Sequence, residues 1–184
     1  MIFDLGKVIL RKPKIKDRNG FIQICAEKET MKYYGLSGSS IKTEEQAQNE
    51  IDWCLKQFDN NGGSWIITEK NIDTYIGDIE FHSYNREHNK VEIGYRLKSS
   101  FWGQGIITKC INELVKFGFQ HNNYNRIEAS VDSRNEGSKR VLLKNNFTHE
   151  GTLREYEFEH GEYINIDIFS ILKKEWGKID LEIN

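Results

Sequence analysis

Proline is almost missing from this chain. Pro13 stands alone among 184 residues, so no proline-rich linker divides the sequence and its elements run without their usual breaker. A surplus of one charge is missing too. Against 26 basic residues stand 28 acidic ones, a formal charge of -2, which removes the footprint expected of a direct nucleic-acid binder. No stretch approaches the ~18 apolar residues of a membrane span. Met1-Ile2-Phe3-Asp4 has no signal-peptide profile, so neither a membrane partner nor export is expected, and the expected location is cytoplasmic. Cysteine is scarce: Cys25, Cys54 and Cys110 make an odd set without metal-ligand spacing, each among apolar helical neighbours. Buried free thiols are expected, with no disulfide framework and no metal. What is present, 38% hydrophobic and 29% charged residues, suits one globular domain spanning residues 1–184.

The first strand reads from Val8 to Arg11 and stops at Pro13. Helical spacing follows from Asp17 through Phe21, Ile22, Cys25 and Ala26, and a shorter piece around Met31 to Tyr34 ends at Gly35. Leu36 to Ile41 reads as loop. Thr43-Glu44-Glu45-Gln46 is a capping box, opening a helix with Ala47, Ile51, Cys54, Leu55 and Phe58 on one face and a breaker cluster from Asn60 to Gly63. The period then changes. Ser64 to Glu69, Thr74 to Tyr84 and Val91 to Leu97 form an antiparallel meander, linked by Lys70 to Asp73 and by a polar turn ending at Asn89. An apolar helix runs to about Phe119, a strand from Arg126 to Val131, and a second helix from about Asn135, its N-cap, to Asn145. Thr148 to Phe158 and Tyr163 to Leu172 close the chain around His160-Gly161. The fold class expected is mixed α/β: a mostly antiparallel sheet of about seven strands with flanking helices. Its fourth and fifth strands flank the one crossover that could be parallel, and a ligand is expected where they splay.

Between those two strands lies Phe101-Trp102-Gly103-Gln104-Gly105-Ile106-Ile107-Thr108, glycines at a strand-to-helix turn. Unpaired amides and the helix dipole make such a turn an anion site, although a tight turn before a core helix has the same pattern. A Walker A loop fails, because Thr108-Lys109-Cys110 stands where Gly-Lys-Ser/Thr is required. A Rossmann fingerprint fits poorly. Thr108 replaces its third glycine and a meander precedes it, though Glu128 sits at a tolerable distance for a ribose-binding acid.

Trp102-Gly103-Gln104-Gly105-Ile106-Ile107-Thr108 resembles the acetyl-coenzyme-A pyrophosphate loop of the GNAT-type N-acetyltransferase superfamily, in the form used by its ribosomal-protein N-terminal (serine/alanine) acetyltransferase branch. Val131 to Ser138 and Leu142 to Phe147 resemble the second family block. Glu150 to Arg154, Asp167 to Leu172 and Lys173 to Trp176 resemble its last strands and tail, so the likeness spans Val8 to Trp176. Two departures stand out. Ile107 occupies a position usually Gly or Ala, and is expected to turn its side chain into the core; Asn146 replaces the glycine before Phe147, and should keep the left-handed turn.

The resemblance implies the GNAT fold, acetyl-CoA as co-substrate, and transfer of acetyl to an amine. It implies Glu157 as general base and Ser138 as general acid. Cofactor contacts are expected from Arg96, Leu97, Trp102, Gly103, Gln104, Gly105, Ile107, Thr108, Asn135 and Ser138, with the strand backbone near Arg96 and Leu97 pairing with the pantetheine arm. Plainer readings stay open: Ser138 as a cap residue, and Glu157 as part of a solvated acidic row with Glu155, Glu159 and Glu162. The scattered histidines, His82, His88, His121, His149 and His160, read as ordinary residues. Tyr33, Tyr34, Trp53 and Trp65 read as core or acceptor-pocket lining. The partners expected are acetyl-CoA and an amine acceptor, a protein N-terminus in the first place, with homodimerisation open. The alternatives are a polyamine-like or aminoglycoside-like acceptor, or a CoA-liganded interaction domain without turnover. Acceptor specificity is expected from Leu36 to Ile41 and the terminal strand loop, where no code is legible.

Overall fold

The computed structural model describes residues 2–34, 41–159 and 161–177. Its centre is one eight-stranded sheet of order β1-β2-β3-β4-β5-β6-β8-β7. The strands are β1 (Ile2–Asp4), β2 (Val8–Arg11), β3 (Gly63–Glu69), β4 (Tyr75–Asn85), β5 (Lys90–Leu97), β6 (Arg126–Asp132), β7 (Thr148–Glu159) and β8 (Glu162–Leu172). The helices are α1 (Arg18–Ala26), α2 (Lys28–Met31), α3 (Glu44–Gln57), α4 (Ile106–Gln120) and α5 (Glu136–Lys144). One strand exceeds the number expected. Ile2–Asp4 pairs with Ile9–Arg11 through a tight turn at Gly6, and three residues are too few to show alternation in sequence.

The capping signals act as their chemistry requires. Thr43 Oγ1 accepts from the Gln46 amide at 3.2 Å, and Gln46 Oε1 accepts from the Thr43 amide at 3.1 Å, starting α3. Asn146 takes φ +61°, and the Asn146 and Phe147 amides donate to the Leu143 and Leu142 carbonyls, a Schellman stop for α5. Asn thus supplies the left-handed turn in place of glycine. Helix α1 ends where Glu27 turns to extended backbone, splitting α1 from α2.

Two apolar layers sandwich the sheet. Helix α4 lays Ile107, Cys110, Ile111, Leu114 and Val115 on one face, over Trp65, Ile79, Ile93, Ala129 and Phe169. On the other face, α1 and α3 bring Phe21, Ile24, Ala47 and Ile51 against Ile66 and Tyr75. Each such side chain, removed from water, is worth roughly 1.5–3 kcal/mol. Trp65 is fully buried, with the rings of Phe3, Phe58, Phe81 and Phe117 edge-on around it at centroid distances of 5.0 to 6.1 Å, so it belongs to the core. Trp53 on α3 is exposed. The three cysteines are buried, and none is in a disulfide among the described residues.

The feature that places a site is the β5–β6 pair. It is parallel, as the α4 crossover requires, and its register holds for three residue pairs: Lys90 with Arg126, Val91 with Ile127, Glu92 with Glu128. Beyond them β5 pairs only with β4, and β6 only with β8. The edges from Ile93 to Leu97 and from Ala129 to Asp132 therefore face each other unpaired.

Candidate active site

The parting strands enclose a cleft of about 240 Å³. Ser138 and Asn135 reach it from the start of α5, Glu157 from β7, Glu92 and Tyr95 from β5, His82 from β4, and Tyr33 and Tyr34 from the turn that follows α2. The two residues expected as acid and base thus share one lining. The expected acceptor loop, Leu36 to Ser40, and His160 in the terminal turn lie outside the described residues; Ile41 is buried against α1 and α3.

At the open end of β5 sits the glycine turn. Gly103 and Gly105 both take φ +73°, a left-handed conformation that side-chain-bearing residues adopt at a cost, and a Cβ at either would meet nothing within 4 Å. Gly105 is the N-cap of α4, without a side-chain cap, and Lys109 is the first amide with a carbonyl partner, Gly105 O at 3.1 Å. Among the described residues the amides from Gly103 to Thr108 have no backbone acceptor. That is an open, bare, dipole-backed cradle, and it fits a pyrophosphate. The Ile107 side chain is buried in the core, so its β-branch does not crowd the cradle. Trp102 and Gln104 tie the turn down instead: Trp102 Nε1 donates to the Leu97 carbonyl at 2.7 Å, and Gln104 Nε2 to the Ser100 carbonyl at 3.4 Å.

The structure places Arg96 elsewhere. The Lys98 amide donates to the Ile76 carbonyl, and alternation along β5 then turns the backbone of Arg96 toward β4 and that of Tyr95 and Leu97 toward the open edge. The Arg96 side chain is buried on the α1–α3 face, with its Nε 3.0 Å from Asp78 Oδ1. A pantetheine arm pairing with β5 would accordingly meet Tyr95 and the amide of Leu97, whose carbonyl is already taken by Trp102 and, at 3.2 Å, by Thr30 Oγ1.

Asn135 caps α5, its Oδ1 accepting from the Ser138 amide at 3.1 Å. The Ser138 carbonyl accepts from Tyr95 Oη at 3.5 Å, and the Ser138 side chain lies beside the same phenol. A hydroxyl on the cleft lining, held by its own backbone beside the Tyr95 phenol, suits a proton donor.

Glu157 pairs with Ile164 after an irregularity in which β7 advances from Leu153 to Glu157 while β8 moves from Ile166 to Ile164. Glu155 inside it takes φ +50°, its amide donating to Asn165 Oδ1 at 2.8 Å. The strict alternation that would put Glu155 and Glu157 on one face is therefore broken, and no regular acidic row runs along this strand. Burial, then the charges of Glu159, Glu92 and Asp132, hold the Glu157 carboxyl above its usual range. Those last two come from the two arms of the parting strands.

His82 is the residue the sequence undervalues. Its Nδ1 lies 3.6 Å from Glu92 Oε2, whose other oxygen accepts from Ser130 Oγ at 3.1 Å, where the strands begin to part. Burial pushes the imidazole below its ordinary value while Glu92 pulls it back. Alternation on β4 and β5, which puts Glu80, His82 and Glu92 on one face, was the signal that could have found it. Behind them, burial and the Asp78 charge push Glu80 up to about 8.

Residues 7–148 match the acetyltransferase (GNAT) domain family, and the chain belongs to that family. It is 31% identical to the uncharacterized N-acetyltransferase YoaA of Bacillus subtilis (strain 168), over 94% of this chain and 97% of that protein. It is 32% identical to the ribosomal-protein-serine acetyltransferase of Escherichia coli (strain K12), over 53% and 55% of the two chains. The crystal structure of the ribosomal-protein-S5-alanine acetyltransferase of Vibrio fischeri superposes with a TM-score of 0.83 at 21% identity, covering 96% of this chain and 98% of that one, and supports the same fold. The protein is an acetyl-CoA-dependent N-acetyltransferase.

Proposed function

We propose that the protein acetylates the N-terminal amine of another protein, a ribosomal protein in the first place, by direct transfer within the cleft. The observation that carries this reading is the convergence of Glu157 and Ser138 on one lining between the parted strands. The names of the E. coli and V. fischeri relatives support the acceptor class. Glu157 takes the proton of the attacking amine, directly or through water, and the Ser138 hydroxyl supplies one to the departing thiolate. Neither task is demanding. An α-amine of pKa about 7.7–8.0 is roughly one-tenth neutral at pH 7, and a thiol near 8.5, by analogy with cysteine, leaves with little help. Glu157, raised by burial and like charges, is poised closer to such an amine than an ordinary carboxylate. Acetyl-CoA is the co-substrate, and the residues that would hold it are the glycine-turn amides, the open edge at Tyr95 and Leu97, and Asn135.

An acetyl-transfer screen over peptides with Ser or Ala termini, polyamines and aminoglycosides tests the proposal. Peptides should be acetylated on the α-amine with kcat/KM at least about tenfold above the small amines, a gap of about 1.4 kcal/mol. A polyamine or aminoglycoside as best substrate would replace the acceptor class, and tight CoA binding without turnover would favour an interaction domain.

A further inference from the structure

Arg96 sits where neither acetyl-CoA nor the acid–base pair needs it. Its guanidinium is buried beneath the α1–α2 segment, among side chains of β4, α3 and α1 and the ring of Tyr34 just beyond α2. It donates to Asp78 of β4 at 3.0 Å, lies 3.9 Å from Glu50 of α3 and 3.6 Å from Cys25 Sγ of α1, and its Cζ stands 5.0 Å from the ring centroid of Tyr34. Tyr34 in turn lines the cleft opposite the glycine-turn side of the sheet. The same segment is fastened a second time to the end of β5, where Glu27 accepts from the Ser99 amide at 3.0 Å and its hydroxyl at 2.8 Å.

A guanidinium suits this place because it is planar. It can meet a ring and donate to a carboxylate from one rigid fork, whereas an ammonium is a rotatable point charge on a flexible stem. We propose that Arg96 is a positioning residue for the acceptor: by bracing Tyr34 against β5, it sets the acceptor wall of the cleft in register with the strand edge that holds the cofactor. The proposal rests on the acetyl-transfer reading, and on the acceptor entering along the Tyr34 wall. Which group acts as base is immaterial to it.

The test uses acetyl-CoA and whichever amine has the highest kcat/KM in the screen. Arg96→Lys keeps a cation beside Asp78 and loses the rigid guanidinium that reaches the Tyr34 ring. It should raise acceptor KM about tenfold, leave kcat at saturating acceptor within about twofold, and leave acetyl-CoA affinity unchanged. Tyr34→Leu should reproduce the rise, and the double variant Arg96→Lys with Tyr34→Leu should add little to it, since the two residues act as one unit. If Arg96→Lys does not fold, Arg96→Met combined with Asp78→Asn removes both buried charges together and is read in the same way. An unchanged acceptor KM in a folded variant overturns the proposal, as do equal losses of acceptor and cofactor affinity, or full additivity with Tyr34. Failure of Glu157 as base would appear in kcat of its own variant, leaving these comparisons intact.

Discussion

The two halves of the cleft are made differently. The glycine-turn half is one continuous stretch, Leu97 to Thr108, and presents bare backbone: positive-φ glycines, unpaired amides and a helix start. The opposite half is assembled from side chains carried by the turn after α2, by β4, β5 and β7. Recognition by backbone needs a particular local conformation, and only certain residues adopt it, so it leaves a mark in contiguous sequence. Recognition by side chains needs only that distant segments arrive together, and that leaves none.

The sharpest way to break this contrast is at Glu157. Glu157→Gln keeps shape and loses the proton acceptor, so kcat should fall about 10²–10⁴-fold with acetyl-CoA affinity nearly constant. Only the ionised carboxylate acts as base, so wild-type activity should be lost as pH falls through a carboxyl value raised above the usual range. That acid limb should vanish in the variant, whose rate should partly recover at high pH, where more amine is neutral. Wild-type kcat across pH in Glu157→Gln would reduce the carboxylate to part of the surface.

On the backbone half, Gly105→Val places a β-branched residue at φ +73° and a side chain where an anion would approach. Acetyl-CoA binding measured calorimetrically should weaken at least about tenfold, about 1.4 kcal/mol. Undiminished affinity in a folded variant would remove the pyrophosphate assignment. A further effect is expected on stability rather than on activity or binding. Glu80, raised from its ordinary 4.5 to about 8, binds its proton more tightly in the folded chain. Its contribution is therefore complete below about 4.5 and is lost as pH rises through about 8. Urea titrations from pH 5 to about 9 should show that decline in the wild type and a flatter profile in Glu80→Gln; parallel profiles would mean the group titrates normally.

The legibility of the fold follows the same division. Thr43, Gln46 and Asn146 act through neighbours within four residues, so their caps could be read directly. The α4 stripe and the parallel crossover follow from periodicity and the order of elements. Strand β1 was too short to show a period, and the irregularity around Glu155 depends on a non-glycine residue held left-handed by Asn165 across the ladder. Arg96 was legible as a strand residue near the turn. Its service to the opposite face depended on a partner, Tyr34, far away in sequence.

The parting of β5 and β6 also has a mechanical meaning. A sheet resists bending through its ladder of hydrogen bonds, and here five strands and three strands are joined by a ladder of only three residue pairs. Helix α4 spans the gap on one side as a single tie bar. The sheet is therefore two stiff plates on a short seam, and an extended molecule pairing with both free edges would act as the missing rungs, stiffening the protein along the line where it does its chemistry.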